Sequence, residues 1–500
     1  MTSNKDIETN ILRLLGYFNR WWTQDKISGV PPFKRMDFFV LQKNMKRPEI
    51  VVIGGARQVG KSTLMAQTIE NLLTGGVPPK RVLFFEADNN QLNILSKNII
   101  ADCLNVYQTY ILKEELNKVD DTVYVFIDEV QKIHDWPQQL KDWFGLNKNI
   151  KFIVSGSSNT RILKDCNKIL VGRYAEQMVV PFTFVETARY FCHKNDNQDL
   201  KMALEAAKGA AREALSAILN VPKPKQNDIH KFYDSIANIN NELAIYKPLL
   251  QRLLNEYFVR GGYPRVVTET DAKYQREHLS TITRGVIDTD LTETYGLRKE
   301  DFMRNLLVIL AHQSSQLMDI ETIKKTLNEK SSITITKYMS LLENGLLISL
   351  SSNAKFGVRG RIRKLIKKVY INDVGMRNNL VNFLDDSIIT DNEQMGLLAE
   401  TVAFNHCVRL QYNITGVKSN VFYWRGGNKE VDVVLTYKDK MLPIEVKYRN
   451  KIDADDFSGI NSFFKEEKKT AGFGIIISKD TLTLSNNVVV MPLMLFLLIC

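Results

Sequence analysis

The stretch from Glu49 to Ile69, EIVVIGGARQVGKSTLMAQTI, constrains this chain more than any other. Its β-branched opening, Ile50 to Ile53, predicts a strand buried on both faces. Gly55-Ala56-Arg57-Gln58-Val59-Gly60-Lys61-Ser62 then matches G-x-x-x-x-G-K-[ST] at every fixed position. Thr63 to Ile69 predicts a helix with Leu64, Met65 and Thr68 towards a sheet. The order has a physical reason. Glycines let backbone N–H groups turn inward around phosphate oxygens, and the helix N-terminus adds partial positive charge. Gly55 through Thr63 therefore form the expected nucleotide cradle for ATP. Lys61 is placed to reach the β- and γ-phosphates, and the Ser62 hydroxyl to ligate Mg²⁺. A glycine-rich turn with a surface lysine is the alternative, and the strand before and helix after argue against it.

Short β-branched runs continue to alternate with helical stretches: Arg81 to Glu86, Val123 to Ile127, Lys151 to Ser155 and Gln177 to Val180. Such alternation predicts a parallel sheet flanked by helices. Asp128 and Glu129 stand where the Val123 strand ends, at the sheet edge where ligands collect. Asp128 suits Mg²⁺ held through water, and Glu129 suits the base that orients and deprotonates an attacking water. A helix N-cap pair is the competing reading. Ser155 either senses the γ-phosphate or closes a turn. Arg173, just before the fifth strand, reads as an arginine finger supplied in trans by a neighbouring subunit, or as an ordinary surface arginine.

Five hundred residues are too many for one core, so several domains are expected. A net charge of +11 permits a polyanion partner without requiring one. The five cysteines are scattered without metal spacing, which fits reduced thiols in a cytoplasmic protein. Acidic residues near the start and the lack of an apolar h-region exclude a signal peptide there. The apolar run Val488 to Ile499 is too short to span a bilayer and contains Pro492; a buried strand and final turn are expected, with no membrane association.

The chain divides on this reading into a helical leader (1–48), a nucleotide-binding core (49–190), a helix-rich lid with an insertion (191–270), a region at 271–375 and a final α/β region (376–500). In the leader, Ile11, Leu14, Leu15, Phe18, Trp21 and Trp22 form one amphipathic stripe, expected to pack on the core. Residues 304–349 predict three helical blocks and then a strand, the layout of a helix-turn-helix with a wing. Lys355, Arg359, Arg361, Arg363, Lys364, Lys367 and Lys368 follow with no acid between them. The run is either a solvated face or a patch for the phosphates of double-stranded DNA. Near the end, Glu430-Val-Asp432 and Glu445-Val-Lys447 flank a polar turn at Lys438 and Asp439. A hairpin centred there sets Asp432 opposite Glu445 and Glu430 opposite Lys447. Two facing carboxylates call for a cation, so Asp432 and Glu445, with Glu400 from a preceding helix, are a candidate site for Mg²⁺ or Mn²⁺ beside Lys447. Cross-strand ion pairs on a surface hairpin are the alternative.

GARQVGKST, VFIDEVQKIHDWPQQLKDWF, FIVSGSSNTRIL, VGRYAEQMVVPFTFVE and YFVRGGYPRVV resemble the AAA+-type P-loop ATPases of bacteria and archaea that carry a DUF4143 region. The resemblance runs from about Arg35 to the end. It implies an α/β chain with an AAA-type parallel-sheet core, a helical lid, a winged helix and a C-terminal restriction-endonuclease-like domain. Arg173 matches that family's Gly-Arg position. Asp432, Glu445 and Lys447 match the D…ExK signature of restriction-type nucleases. The stretch from His193 to Tyr246 is longer than the family pattern. The expected activity is Mg²⁺-dependent ATP hydrolysis in a homo-oligomer, driving a DNA-directed module. An ATP-switched DNA-binding or DNA-cleaving effector, and a protein-remodelling ATPase with an inactive nuclease-like domain, remain open.

Overall fold

A computed structural model describes residues 4–24, 27–146, 149–157, 165–292, 300–355, 367–415, 421–467 and 469–500. The chain forms two compact units, Met1–Val180 and Pro181–Cys500.

The first unit is built on β1 (Ile50–Gly55), β2 (Val82–Glu86), β3 (Val123–Asp128), β4 (Ile150–Gly156) and β5 (Tyr174–Val179). They pair in the order β2-β3-β4-β1-β5, all parallel. Central β1 and β4 are buried along their whole length, as near-continuous apolar strands in a helix-covered parallel sheet must be. The parallel sheet expected from the alternation is present, with every carboxyl end on one edge. The leader packs on this sheet: Ile11, Leu14 and Leu15 share a core cluster with β1 to β4. It also protects the outermost strand. Asn19 accepts from the Phe84 N–H at 2.7 Å and donates to the Phe84 carbonyl at 2.8 Å, while Trp21 and Trp22 donate to the Val82 carbonyl. Side chains thus satisfy backbone groups that an open edge leaves exposed.

The second unit begins with long helices. In Gln198–Asn220, Leu204, Ala207, Ala211, Leu215 and Ile218 recur every three or four residues and are buried in the cluster that contains Leu493 to Ile499. Three helices, Glu300–His312, Ile320–Thr326 and Ser332–Asn344, lead into β6 (Ile348–Ser351), which pairs antiparallel with β7 (Lys368–Ile371). Helix Asn392–Thr415 precedes a mixed sheet of β8 (Phe422–Gly426), β9 (Lys429–Tyr437), β10 (Lys440–Val446), β11 (Gly474–Ser478), β12 (Thr483–Ser485) and β13 (Val488–Pro492). Its order is β12-β13-β11-β10-β9-β8. The β9–β10 turn is at Lys438 and Asp439, with Lys438 at φ 54°, and the register runs from Lys440↔Tyr437 to Ile444↔Val433. One more step sets Glu445 beside Asp432, as the sequence pattern requires. The terminal apolar run is β13 followed by a seven-residue helix, Leu493–Ile499, where a final turn was expected. One apolar core cluster joins residues of the 184–259 helices to Tyr370, Val374 and residues of the final α/β region as far as Cys500.

Candidate functional site

The phosphate loop leaves the carboxyl end of β1. Gly55 has no room for a side chain, since a Cβ there would meet the Val179 carbonyl oxygen at 2.2 Å. Gly60 stands at φ +96°, a left-handed conformation costly for other residues, and Lys61 opens helix Lys61–Thr74 directly after it. Lys61 is buried, and its ammonium donates to the Gly55 and Ala56 carbonyls at 3.2 and 3.0 Å. Ser62 is exposed on the first turn of the helix. Arg35 braces the loop from outside, donating to the Val59 carbonyl at 2.8 Å and to the Val180 carbonyl at 2.7 Å. A cavity of about 240 Å³ opens beside Ser62 and is lined by Tyr17, Arg20, Trp21, Ala66 and Phe84 among others. The leader therefore lines the cavity beside Ser62.

Two strands away, β3 ends in Asp128. Its Oδ1 accepts from the Ser155 hydroxyl and from the Glu129 N–H at 3.1 Å. Ser155 is fully buried and spends its hydroxyl on Asp128. Glu129 stands at φ 52°. Its Oε2 accepts from the Gln131 side-chain amide at 2.5 Å, and the same nitrogen donates to Ser157 at 3.1 Å. Gln131 is a member the sequence reading passed over, as are Glu86 and Asp88. Register places Glu86 level with Asp128. Burial and then the Glu129 and Asp128 charges push the Asp88 carboxyl up; burial, Asp88 and Asp128 do the same to Glu86. The carboxyl edge of β2 and β3 thus concentrates negative charge. Ser62 and Asp128 are the hard-oxygen donors that Mg²⁺ favours.

Arg173 is exposed, and its carbonyl accepts from the Ile50 N–H at 2.9 Å. That places it at the amino end of β1, whereas the loop leaves the carboxyl end, roughly 15–20 Å away along six residues of strand. Arg173 does not join its own chain's phosphate site.

In the second unit the expected carboxylates do come together, with an unexpected partner. Lys368, the first residue of β7, lies 3.0 Å from Glu400, 2.6 Å from Glu430 and 3.0 Å from Asp432. Its ammonium is buried, so it is no part of a solvent-facing basic run, and that reading is corrected for Lys368. Lys355 pairs with Glu466 at 2.6 Å, while Arg359, Arg361, Arg363 and Lys364 lie outside the described residues. Tyr370 donates to Glu400 at 2.9 Å and stacks on Phe404, with ring centroids 3.7 Å apart. Asp432 accepts from the Val446 N–H at 3.0 Å. Lys447 pairs with Glu445 at 2.6 Å rather than with Glu430. Burial and the neighbouring Asp432 charge push Glu400 up to about 7 and Glu445 up to about 8. Burial works against ionised Asp432, yet Lys368 and Lys447 hold it below the usual range. Among the described residues, no group of three or more His, Cys, Asp or Glu side chains is arranged to hold a metal ion.

Residues 47–188 match the family described as AAA domain, residues 251–387 match DUF8612, and residues 395–496 match DUF4143, the last two described as domains of unknown function. An uncharacterized protein of Haemophilus influenzae is 22% identical over 425 residues, covering 83% of this chain and 88% of that protein. An uncharacterized protein of Methanocaldococcus jannaschii, MJ1544, is 24% identical over 80% of this chain and 75% of its own length. Among solved structures, the Walker-type ATPase PABY2304 of Pyrococcus abyssi shares 16% identity at a TM-score of 0.35, covering 70% of this chain and 95% of its own. The Aeropyrum pernix Orc1 protein, solved in complex with DNA, shares 10% at 0.30, over 73% and 96%. The parallel sheet, the phosphate loop and the family match together define an AAA-type P-loop protein. The chain thus joins a region that matches the AAA domain family to one that matches DUF4143. Among the described residues no helix is long and apolar enough to cross a membrane.

Proposed function

We propose that this chain hydrolyses ATP with Mg²⁺ and uses the nucleotide cycle to act on double-stranded DNA through its second unit. The observation that carries the first part is the juxtaposition in one parallel sheet of the Gly55–Thr63 loop and the Asp128–Glu129 carboxylates. Backbone N–H groups of the loop and the start of helix Lys61–Thr74 hold the phosphates. Lys61 exchanges its carbonyl partners for phosphate oxygens, and Ser62 and Asp128 hold the Mg²⁺. When bound, that ion neutralises charge that develops on the phosphates. Glu129, steered by the Gln131 amide, takes the proton of the attacking water. Arg173 serves the site of a neighbouring subunit in a homo-oligomer, since its place at the far edge of the sheet keeps it from its own.

Three helices followed by the β6–β7 pair have the layout of a winged helix, and the adjoining run is rich in Arg and Lys. The DNA in the Aeropyrum Orc1 complex belongs to that protein, and a likeness at a TM-score of 0.30 carries nothing over to this chain. The test is ATP turnover by the full-length chain with and without duplex DNA, at rising salt. Stimulation that fades steeply with salt supports the reading, because phosphate contacts release counterions. Turnover indifferent to DNA at all salts removes it. Mixing Arg173→Ala with Lys61→Ala chains is expected to restore part of the activity; no rescue ends the shared-site assignment. A protein-remodelling ATPase with an inactive nuclease-like domain is the second reading, favoured by the lysine that fills the C-terminal carboxylate cluster.

A further inference from the structure

We propose that Lys368 is the resident cation of the C-terminal carboxylate cluster, and that its ammonium closes a site which otherwise takes a divalent cation such as Mn²⁺ or Mg²⁺. Three carboxylates from two elements converge on one nitrogen: Glu400 from helix Asn392–Thr415, and Glu430 and Asp432 from β9, at 3.0, 2.6 and 3.0 Å. An ammonium has three N–H donors, and each finds a carboxylate. Lys368 and Asp432 are buried, and charges at that depth are not left uncompensated, because removing them from water without a counter-charge is prohibitive. A hard divalent ion and an ammonium satisfy the same oxygens at slightly different distances, so the two compete for one place.

A second observation points to ligand capacity that the lysine leaves unused. Glu445, one register step beyond the Ile444↔Val433 pair and so beside Asp432, is only 6% exposed. Its Oε1 takes Lys447, but its Oε2 is buried with no hydrogen-bond partner. Buried carboxylate oxygens are ordinarily satisfied, so an orphan in this cluster is an unspent ligand. The tight packing leaves the strands little freedom to rearrange: a Cβ on Gly459 would meet the Glu430 carbonyl at 2.1 Å. The oxygens stay where they are whether the cation is a lysine or a metal. Lys368 lies 32 residues from Glu400 and 64 from Asp432 along the chain, so only β7 brings it there.

The test uses the full-length chain without nucleotide, with Mn²⁺ binding followed by electron paramagnetic resonance. The parent is expected to bind no Mn²⁺ at this cluster, Lys368→Met to bind one ion per chain, and Lys368→Met with Asp432→Asn to lose it. Hydrogen exchange over residues 421–446 reports whether each variant is folded, and Lys368→Met that regains protection on adding Mn²⁺ also supports the proposal. A folded Lys368→Met chain that binds no Mn²⁺ overturns it. Should Lys368→Met not fold with or without Mn²⁺, the parent decides alone. A bound ion that Asp432→Asn removes overturns the proposal, and no bound ion supports it. ATP turnover plays no part in these readouts, so failure here leaves the ATPase reading standing.

Discussion

In the first unit, Asp128 and Glu129 leave the carboxyl edge of a parallel sheet with uncharged partners, the Ser155 hydroxyl, a backbone N–H and the Gln131 amide. In the second, Glu400, Glu430 and Asp432 close around the Lys368 ammonium. Asp128 and Asp432 are similarly buried, at 4% and 8% exposure, so depth does not distinguish them. Counter-charge does. At the first cluster burial, and then the neighbouring carboxylate charges, push Glu86 and Asp88 up, with Lys132 opposing at Asp88. The second spends its field inside the fold. Carboxylates near strand ends meet hydroxyl and amide donors in one place and a buried ammonium in the other.

The largest expected effect tests the open site. Glu129→Gln keeps the shape and removes the base, so turnover is expected to fall by about 10²–10⁴ while ATP remains bound. Phosphate release and retained radiolabelled ATP measure the two halves, and parent-like turnover would move the base elsewhere. The next contrast compares stabilities. Asp432→Ala deprives a buried lysine of a partner and is expected to cost about 3–5 kcal/mol in the second unit. Asp128→Asn loses only charge assistance from a hydroxyl and an N–H, and is expected to cost about 1 kcal/mol in the first. Urea denaturation resolved by hydrogen exchange on each unit reads both; equal costs would erase the distinction.

The smallest effect is in pH. Glu400 is held near 7 in the fold and returns to about 4.5 when unfolded, so the native state binds the extra proton between these values. Stability from this group is therefore present at low pH and lost as pH rises from about 4.5 through about 7. At about 1.4 kcal/mol per pKa unit the full swing is on the order of 3 kcal/mol, before any relaxation of the neighbouring pairs. His406, held down to about 4 mainly by burial, has the opposite slope in the same unit. The quantity to follow is thus the difference between the parent and Glu400→Gln. A difference that stays flat from pH 4.5 to 7 would show that Lys368 keeps Glu400 ionised throughout.

Much of the first site was legible because its chemistry is local. The spacing from Gly55 to Ser62 is a backbone requirement, and a strand before and helix after it suffice to place it. Asp128 and Glu129 were legible because an apolar strand must end somewhere, and its end is where polar groups surface. Gln131, Glu86 and Asp88 carried a weaker signal: each is an ordinary polar residue until the sheet sets β2 beside β3. Arg173 was legible as an arginine before a strand, but not as one at the far edge from its own loop.

In the second unit, the β9–β10 register was fixed by alternation and by a two-residue turn, because the side-chain period of a strand is two. That alone determined that Asp432 and Glu445 would be neighbours and that a positive charge had to be found for them. Which charge was a tertiary decision. Lys368 stands in a basic run and carries no local mark separating it from Lys367, yet β7 delivers it into the carboxylates while Lys447 turns to Glu445. Periodicity and motif spacing report interactions within a few residues of chain. An ion pair closed across 64 residues has no such signature, and only the packing of β7 against helix Asn392–Thr415 and β9 selects its members.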